Sequence, residues 1–334
     1  MSKQHTRYIF SMGELSRKDN SIRLKNEKGN FYIPIESTRE LYCLNEVSLN
    51  TKFLDFIAKA GIIIHFFNYY GHYSGTFYPK DYLISGRLKV SQVLAYSQNR
   101  LKIAKSFVKA IGFNVHEVLY HYYRHDKPEL KEDLDWIKKD MPRLLEKAGD
   151  IKQLLAIEGT IWNRFYSSFK FFLPEDFVLN KRVKRPPDNP INALISFGNT
   201  LLYTKTISQI YHTHLDQSIS FLHEPSEARF SLSLDLSEAF KPIIVFKTIF
   251  DLVNNRKLQI SKHFESKVNY CLMNEEGKKI FIDAFETRIN EVFKHPILNR
   301  KVSYKTAIKF DAYKLIKEIM GEKEFTPFLL KEKC

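Results

Sequence analysis

The chain has 334 residues, of which 44% are hydrophobic, so its length and composition exclude a disordered or fibrous protein and allow two folded domains. Its 52 Lys and Arg residues against 38 Asp and Glu residues give a formal charge of +14, which favours a polyanionic partner such as nucleic acid, although a solvated basic surface explains the charge as well. Three widely separated cysteines, Cys43, Cys271 and Cys334, exclude a disulfide framework and indicate a reducing cytosol.

Short runs of β-branched and aromatic residues dominate the first 85 residues. The runs SIRLKN and NFYIPI are separated by the glycine-containing turn NEKGN, which predicts a hairpin. In the next segment, 48–61, apolar residues recur at helical spacing: Leu49, Phe53, Leu54 and Ile57. We therefore predict a helix that is capped by Ser48 or Asn50 and ends at Gly61.

The run IIIHFFNYY that follows is strand-like and is the longest apolar stretch of the chain. It is interrupted by His65 and Asn68 and is too short to span a bilayer. The N-terminal sequence contains no uninterrupted apolar leader. We therefore expect a cytoplasmic protein with no membrane partner.

The hydrophobic period becomes helical near Gln92 and stays so to the end of the chain. We divide the chain into a β-rich domain, 1–87, and a larger helical domain, 88–334. Within the second domain, the segment LNKRVKRPPDNP at 179–190 combines four basic residues with three prolines and predicts a stiff cationic loop. The chain has neither a GxxxxGK[ST] nor a GxGxxG motif, so a nucleotide-driven motor and a dinucleotide oxidoreductase have no support.

One carboxylate lies within an apolar helical stripe. Glu158 shares that stripe with Ile151, Leu154, Trp162 and Phe165. A buried carboxylate without a partner would have a strongly raised pKa, so this side chain is paired, binds a ligand, or reaches solvent from the edge of the stripe. The spacing alone leaves these alternatives open.

The apolar segment 219–242 contains three further ligand-type residues. Asp235 and Glu238 are three positions apart, so on a helix both carboxylates lie on one face and are able to share a hard cation. The alternation of Leu232, Leu234 and Leu236 also fits a strand, but the length of the run favours a helix that Pro242 kinks. His223 precedes the pair by twelve residues. A lone histidine among apolar residues is more often structural than a ligand.

Two other runs resemble metal motifs. HTHLD at 212–216 is similar to the ligand run of metallo-β-lactamase-like hydrolases, but Gln217 follows it and no strand precedes it. RHD at 124–126 suggests an HD-type phosphohydrolase, but further ligands cannot be placed. We expect neither run to form a metal site.

Three longer blocks give the chain a specific resemblance. IEGTIWNRFY, KRVKRPPDNPINALISFGNTLLY and FLHEPSEARFSLSLDLSEAFKP, together with the order of the four ligand-type residues, resemble the CRISPR-associated protein 1 family. The resemblance covers essentially the whole chain and is greatest to members from type I-B systems. Asn199 and Ser220 depart from the family pattern at positions that carry no ligand.

The resemblance implies an α+β fold, in which an N-terminal β-sandwich domain forms a homodimer and a larger all-α domain is catalytic. It implies a Mn²⁺ or Mg²⁺ cofactor, with Glu158, His223 and Asp235 as catalytic metal ligands and Glu238 as an additional carboxylate near the metal. One imidazole among oxygen ligands suits Mn²⁺ and tolerates Mg²⁺. The implied activity is a DNA endonuclease and integrase of CRISPR adaptation, in which a 3′-hydroxyl attacks a phosphodiester.

The implied partners are double-stranded and branched DNA and CRISPR-associated protein 2. We expect the basic loop to contact DNA phosphates through Lys181, Arg182, Lys184 and Arg185. Tyr166 and Asn192, which lie in the family blocks, are expected to line the DNA site. An inactive DNA-binding scaffold and a metal-dependent ribonuclease are the alternative functions.

Overall fold

The computed structural model describes residues 5–79, 85–184, 186–225, 230–267, 270–295 and 299–330. Arg185, one of the predicted DNA contacts, lies outside the described residues. The chain forms two compact units, residues 1–84 and 85–334. No helix in the described part of the chain is long and apolar enough to cross a membrane.

The first unit consists of two four-stranded sheets and one helix. Its elements are β1 (His5–Ile9), β2 (Gly13–Lys18), β3 (Ser21–Asn26), β4 (Gly29–Pro34), β5 (Thr38–Cys43), β6 (Val47–Leu49), α1 (Thr51–Lys59), β7 (Ile63–Phe67) and β8 (Tyr73–Phe77). The strand orders are β1-β5-β7-β8 and β4-β3-β2-β6. The antiparallel pairing of β3 with β4 confirms the predicted hairpin.

Both sheets and α1 contribute to one apolar core. Leu15 and Ile22 come from one sheet, Leu41 and Ile64 from the other, and Phe53 from α1. This shared core explains why the alternating runs of the first unit form strands, since each strand buries one face.

The helix α1 shows how local chemistry sets the ends of an element. The side chain of Asn50 accepts a hydrogen bond from Phe53 N, which identifies Asn50 as the cap. Leu49 belongs to β6 and not to the helix, because the cap follows it. Gly61 has a φ of +68°, a left-handed conformation that glycine adopts without strain at a helix end.

The second unit is mostly helical. Its main helices are α2 (Gly86–Tyr123), α3 (Lys131–Asp135), α4 (Met141–Lys147), α5 (Ile151–Ser167), α6 (Pro190–Tyr211), α7 (Ser231–Glu238), α8 (Lys247–Asn254), α9 (Ile260–His263), α10 (Glu275–Asn290) and α11 (Tyr304–Ile319). Short 3₁₀ turns span Pro128–Leu130, Ser168–Phe171 and Glu175–Phe177, and π-helical turns span Trp136–Asp140 and Pro242–Phe246.

Two short antiparallel pairs interrupt the helical unit, so the expected all-α domain is not purely helical. They are β9 (Phe264–Lys267) with β10 (Tyr270–Met273) and β11 (Val292–Lys294) with β12 (Lys301–Ser303). A strand-rich first unit followed by a mostly helical second unit nevertheless confirms the predicted α+β class.

The helix α6 lies at the centre of the second unit. Every residue from Thr204 to Ile210 is buried, including the polar residues among them, so this part of the helix is enclosed on all sides. A Cβ atom added at Gly198 would lie 2.6 Å from Val245 and 2.9 Å from Phe281, so glycine permits the close approach of the neighbouring segments. The rigid α6 supports the segments that carry the candidate site.

The apolar run that begins at Ser231 forms three consecutive helical pieces. The helix α7 ends at Glu238, a π-helical turn occupies Pro242–Phe246, and α8 begins at Lys247. Proline lacks the N–H that an α-helix needs, so Pro242 accounts for the predicted interruption. The interruption comes directly after the last candidate ligand.

Candidate active site

Asp235 is fully buried and its carboxylate is saturated with hydrogen bonds. Its Oδ2 accepts the backbone N–H groups of Phe221 at 2.7 Å and Leu222 at 2.8 Å. Its Oδ1 accepts His223 N at 3.0 Å and lies 2.8 Å from His223 Nδ1. A carboxylate offers about four acceptor positions, and here all four are used within one loop.

These contacts fix the orientation of His223. With Nδ1 donating to Asp235, Nε2 is the nitrogen that remains able to bind a cation. Burial alone would lower the pKa of His223, but the hydrogen bond and charge of Asp235, together with the charge of Glu238, raise it above its ordinary value. A proton therefore competes for Nε2 near neutral pH.

The loop that carries His223 is also held from α2. Arg100 Nε donates to Phe221 O at 2.9 Å, and Gln92 Nε2 donates to Asp216 O at 2.9 Å and Ile219 O at 3.0 Å. Neither residue was identified from the sequence, because the contacts join positions more than a hundred residues apart. The histidine thus lies on a loop that two helices preorganise.

Glu238 lies one turn after Asp235 on α7 and has a very different environment. Its side chain is 4% exposed, and its Oε1 forms an ion pair with Lys241. Its Oε2 is buried and has no hydrogen-bond partner among the described residues. A buried carboxylate oxygen without a partner is costly, so the site favours a cation at this position.

Glu158 comes from α5 and faces the same site. Its Oε1 accepts the indole N–H of Trp162 at 2.6 Å. Burial raises the pKa of Glu158, and the charge of Glu238 raises it further, whereas Lys241 and His223 oppose the rise. These mutual effects show that α5, α7 and the histidine loop bring their charged groups together, as the sequence predicts.

The donor set fits a hard divalent cation. Glu158, Glu238 and Nε2 of His223 offer carboxylate oxygens and one imidazole, which suit Mn²⁺ and Mg²⁺. The partnerless oxygen of Glu238 is the structural observation that supports this fit. Within the described residues, no three ligand-type side chains have the spacing of a completed metal site. In this arrangement the ammonium of Lys241 is bonded to one carboxylate oxygen of Glu238.

The basic loop divides into buried and exposed parts. Asn192, fully buried on α6, donates to Lys181 O at 2.9 Å and Asp188 Oδ1 at 2.7 Å, and its Oδ1 accepts from Arg182 at 2.9 Å. Arg182 also donates to Ser196 Oγ at 3.0 Å. Asn192 and Arg182 therefore hold the loop on α6, and their predicted contacts with DNA stay predictions.

Two lysines of this loop are exposed. Lys181 and Lys184 project from it, and the charges of Glu238 and Glu158 act on Lys184. Although Lys184 is exposed, partial desolvation by the surrounding protein lowers its pKa. The nearby charges of Lys241 and Arg182 lower it further. Tyr166 is hydrogen-bonded to Arg182, and burial raises its pKa. The exposed lysines give the site a cationic edge.

The two rival motifs have local structural roles. Asp216 of the HTHLD run accepts hydrogen bonds from Ser218 N and Oγ at 3.0 Å and 2.6 Å and pairs with Lys89 at 3.3 Å. In the RHD run, His125 Nδ1 bonds to His121 O at 2.7 Å at the end of α2. These contacts give Asp216 and His125 local roles, and the expectation that neither run binds a metal stays a prediction.

The chain is similar to known proteins over nearly its whole length. The family model "CRISPR associated protein Cas1" matches residues 7–287. A relative from Thermodesulfovibrio yellowstonii, "CRISPR-associated endonuclease Cas1 3", is 43% identical over 324 residues, which are 96% of this chain and 98% of the relative.

Two solved structures share the fold. A CAS1 protein from Thermotoga maritima has a TM-score of 0.85 and 38% identity, with 96% of this chain and 99% of that chain covered. A structure described as "Casposase bound to integration product" has a TM-score of 0.82 and covers 99% of this chain and 95% of that chain. At 20% identity, this second likeness shows the fold alone.

Proposed function

This chain belongs to the CRISPR associated protein Cas1 family, and we propose that it is a metal-dependent DNA endonuclease and integrase of CRISPR adaptation. Relatives that match nearly its whole length are endonucleases. The observation that carries the proposal is the buried, partnerless oxygen of Glu238 beside Glu158 and His223. A bound cation would give that oxygen, which has no hydrogen-bond partner among the described residues, the compensation that it lacks.

We assign Glu158, Glu238 and Nε2 of His223 as the metal-binding set and Asp235 as the residue that positions His223. This differs from the expectation from sequence, which made Asp235 a ligand and Glu238 an additional carboxylate. The four hydrogen bonds accepted by Asp235 support the new division of roles, because they use its acceptor positions. A carboxylate that orients a ligating histidine is a recurrent feature of metal sites.

The reaction exchanges one phosphodiester for another. A 3′-hydroxyl of the captured DNA releases its proton to solvent and forms a bond to phosphorus in the target, while the bond from that phosphorus to its original 3′-oxygen breaks and this oxygen takes up a proton from solvent. In nuclease activity, water replaces the 3′-hydroxyl. The exchange is nearly isoenergetic, which agrees with the lack of a phosphate-loop motif in the sequence.

A bound divalent cation supplies the Lewis acid that polarises the scissile phosphate. The three assigned side chains would hold it. Lys181 and Lys184 bind backbone phosphates and set the register of the DNA at the site. We propose double-stranded and branched DNA as substrates, CRISPR-associated protein 2 as partner, a homodimer through the first unit, a cytoplasmic location and a type I-B system.

The direct test compares cleavage and strand transfer by the wild type and Glu158→Gln with Mn²⁺ or Mg²⁺. We expect activity in the wild type only with metal and a loss of at least about a hundredfold in the variant. Glu129→Gln, which changes an exposed glutamate, serves as the matched control. Equal activity in Glu158→Gln would refute the assigned site. Inactive wild type that binds DNA would identify a scaffold, and preference for RNA would identify a ribonuclease.

A further inference from the structure

Lys241 is a partly buried cation beside Glu238 that the sequence did not identify. It follows Glu238 by three residues, and its ammonium bonds to Glu238 Oε1. The side chain is 15% exposed, and that of Glu238 is 4% exposed. The ion pair therefore lies in the interior, where each charge depends on the other for compensation.

The same ammonium is close to the residue that orients Glu158. Lys241 Nζ lies 5.7 Å from the centroid of the Trp162 ring, within the range of a cation–π interaction. The indole N–H of Trp162 donates to Glu158 Oε1. The positive charge is thus placed between the two carboxylates that come from α5 and α7.

The position of Lys241 conflicts with metal binding in its present contact. A divalent cation bound to Glu238 would compete for the oxygen that the ammonium occupies, and the two positive charges would repel each other at short range. The other oxygen of Glu238 has no partner among the described residues, so Glu238 is only half compensated by Lys241. The ring of Trp162 already lies within cation–π range of the ammonium, so an ammonium displaced from Glu238 Oε1 would keep this contact.

We propose that Lys241 is an internal cation that compensates Glu238 before metal binding and is displaced toward the Trp162 ring when the divalent cation binds. The inference rests on the proposed function, since it concerns the same metal site. It assigns Lys241 as a competitor of the metal and Trp162 as the residue that receives it. The negative charge of Glu238 is then compensated by Lys241 in the metal-free protein and by the divalent cation in the metal-bound protein. Lys241 therefore stabilises the metal-free protein and lowers its affinity for metal.

The test measures Mn²⁺ affinity by isothermal titration calorimetry at pH 8 in the wild type and in Lys241→Met and Lys241→Gln. Removal of the competing charge is expected to lower the Kd by about tenfold in both variants, equal to about 1.4 kcal/mol. Lys241→Arg keeps the charge and is expected to bind as the wild type does. Lys152→Met removes an exposed charge from α5 and is expected to change the Kd by less than about twofold.

Thermal unfolding provides a second test, in which loss of Lys241 is expected to destabilise the metal-free protein although it strengthens metal binding. Without metal, Lys241→Met leaves Glu238 buried without compensation, so its unfolding temperature is expected to fall below that of the wild type. Saturating Mn²⁺ is expected to restore it, because the metal replaces the lost charge. Lys241→Gln keeps a hydrogen-bond donor and provides the same comparison if Lys241→Met does not fold.

Tryptophan fluorescence measures metal binding independently of catalytic activity. The chain has two tryptophans, so Trp136→Phe leaves Trp162 as the only one, and Mn²⁺ quenching then reports the site directly. Unchanged or weaker Mn²⁺ binding in both Lys241→Met and Lys241→Gln would overturn the role of Lys241 while leaving the metal site intact. Failure of the wild type to bind Mn²⁺ would overturn the proposed function and this inference together.

Discussion

Two carboxylates one turn apart on α7 differ in almost every physical respect. Asp235 has four hydrogen bonds, three of them from consecutive backbone N–H groups. Glu238 has one contact with a lysine and one oxygen without a partner among the described residues. The comparison teaches that burial alone does not identify a metal ligand. Asp235, whose acceptor positions are all used, holds the site together. Glu238, which has an oxygen without a partner among the described residues, is available to bind a cation.

Two other carboxylates of the second unit, one buried and one partly exposed, follow the first pattern. Asp311 accepts the N–H of Phe328 at 2.7 Å and pairs with Lys314 at 2.8 Å. Glu286 pairs with the fully buried Lys205 at 2.8 Å. Both carboxylates join separate elements of the fold. Glu238 therefore stands apart from them, which supports its assignment to chemistry and not to structure.

Glu238→Gln is expected to have the largest effect on activity. The amide cannot supply the second charge that the metal needs, so Mn²⁺-dependent cleavage should fall by at least about a hundredfold. The free energy of unfolding should also fall, because the change removes the charge that compensates the partly buried Lys241. Cleavage rates and chemical denaturation measure the two effects. Wild-type activity in this variant would remove Glu238 from the metal set.

Asp235→Asn tests the other half of the comparison. The new amide N–H₂ faces backbone N–H groups that need acceptors, so the free energy of unfolding is expected to fall by about 3 kcal/mol. Metal affinity is expected to fall by about 10-fold to 100-fold, because His223 loses its orientation. Denaturation followed by circular dichroism and Mn²⁺ titration measure these changes. Complete loss of metal binding without loss of stability would make Asp235 a ligand.

The pH dependence of metal binding tests His223 as a ligand and Asp235 as the residue that positions it. A metal binds the neutral form of His223, whose pKa lies above 6.5, so affinity should rise with pH through that raised value and fall about tenfold per unit below it. Protonation of Glu158, whose pKa is raised above 4.5, adds a second loss at lower pH. In Asp235→Asn, burial without the carboxylate lowers the pKa of His223, so the first fall should move to lower pH.

The stability of the metal-free protein is expected to change with pH in the direction opposite to metal affinity. A histidine with a raised folded-state pKa stabilises the metal-free protein below its unfolded pKa, and this contribution is lost as pH rises through the folded value. Metal-free stability should therefore decline across the same interval in which metal affinity rises. Mn²⁺ titration and denaturation over one pH series test both directions. An affinity that does not change with pH would exclude His223 as a ligand.

The sequence predicts the fold class and the members of the site, but not their roles. The change of hydrophobic period separates the two units, and spacing places Glu158 in an inward stripe. The spacing of Asp235 and Glu238 does not show which of the two carboxylates binds the metal and which supports the site. Their difference depends on which carboxylate faces the backbone of residues 221–223, a contact across twelve to fourteen positions that spacing cannot specify.

Lys241 and Trp162 were missed for a related reason. Lys241 is three residues from Glu238 and Trp162 is four from Glu158, so both spacings were available as signals in a helix. Their importance becomes visible only when α5 and the segment after α7 approach each other. A basic or aromatic residue one turn from a candidate ligand is therefore worth including in a sequence-based search.

The smallest expected effects concern the basic loop, where buried and exposed residues again differ. Lys181→Gln and Lys184→Gln should each weaken DNA binding by a few-fold and reduce the salt-dependence slope by about 1, since each removes one phosphate contact. Lys28→Gln, an exposed lysine of the first unit, is the control. Asn192→Ala should instead lower stability, because the Asn192 side chain holds the loop through four hydrogen bonds. Binding isotherms at several salt concentrations measure the slope, and an unchanged slope in both lysine variants would place the DNA elsewhere.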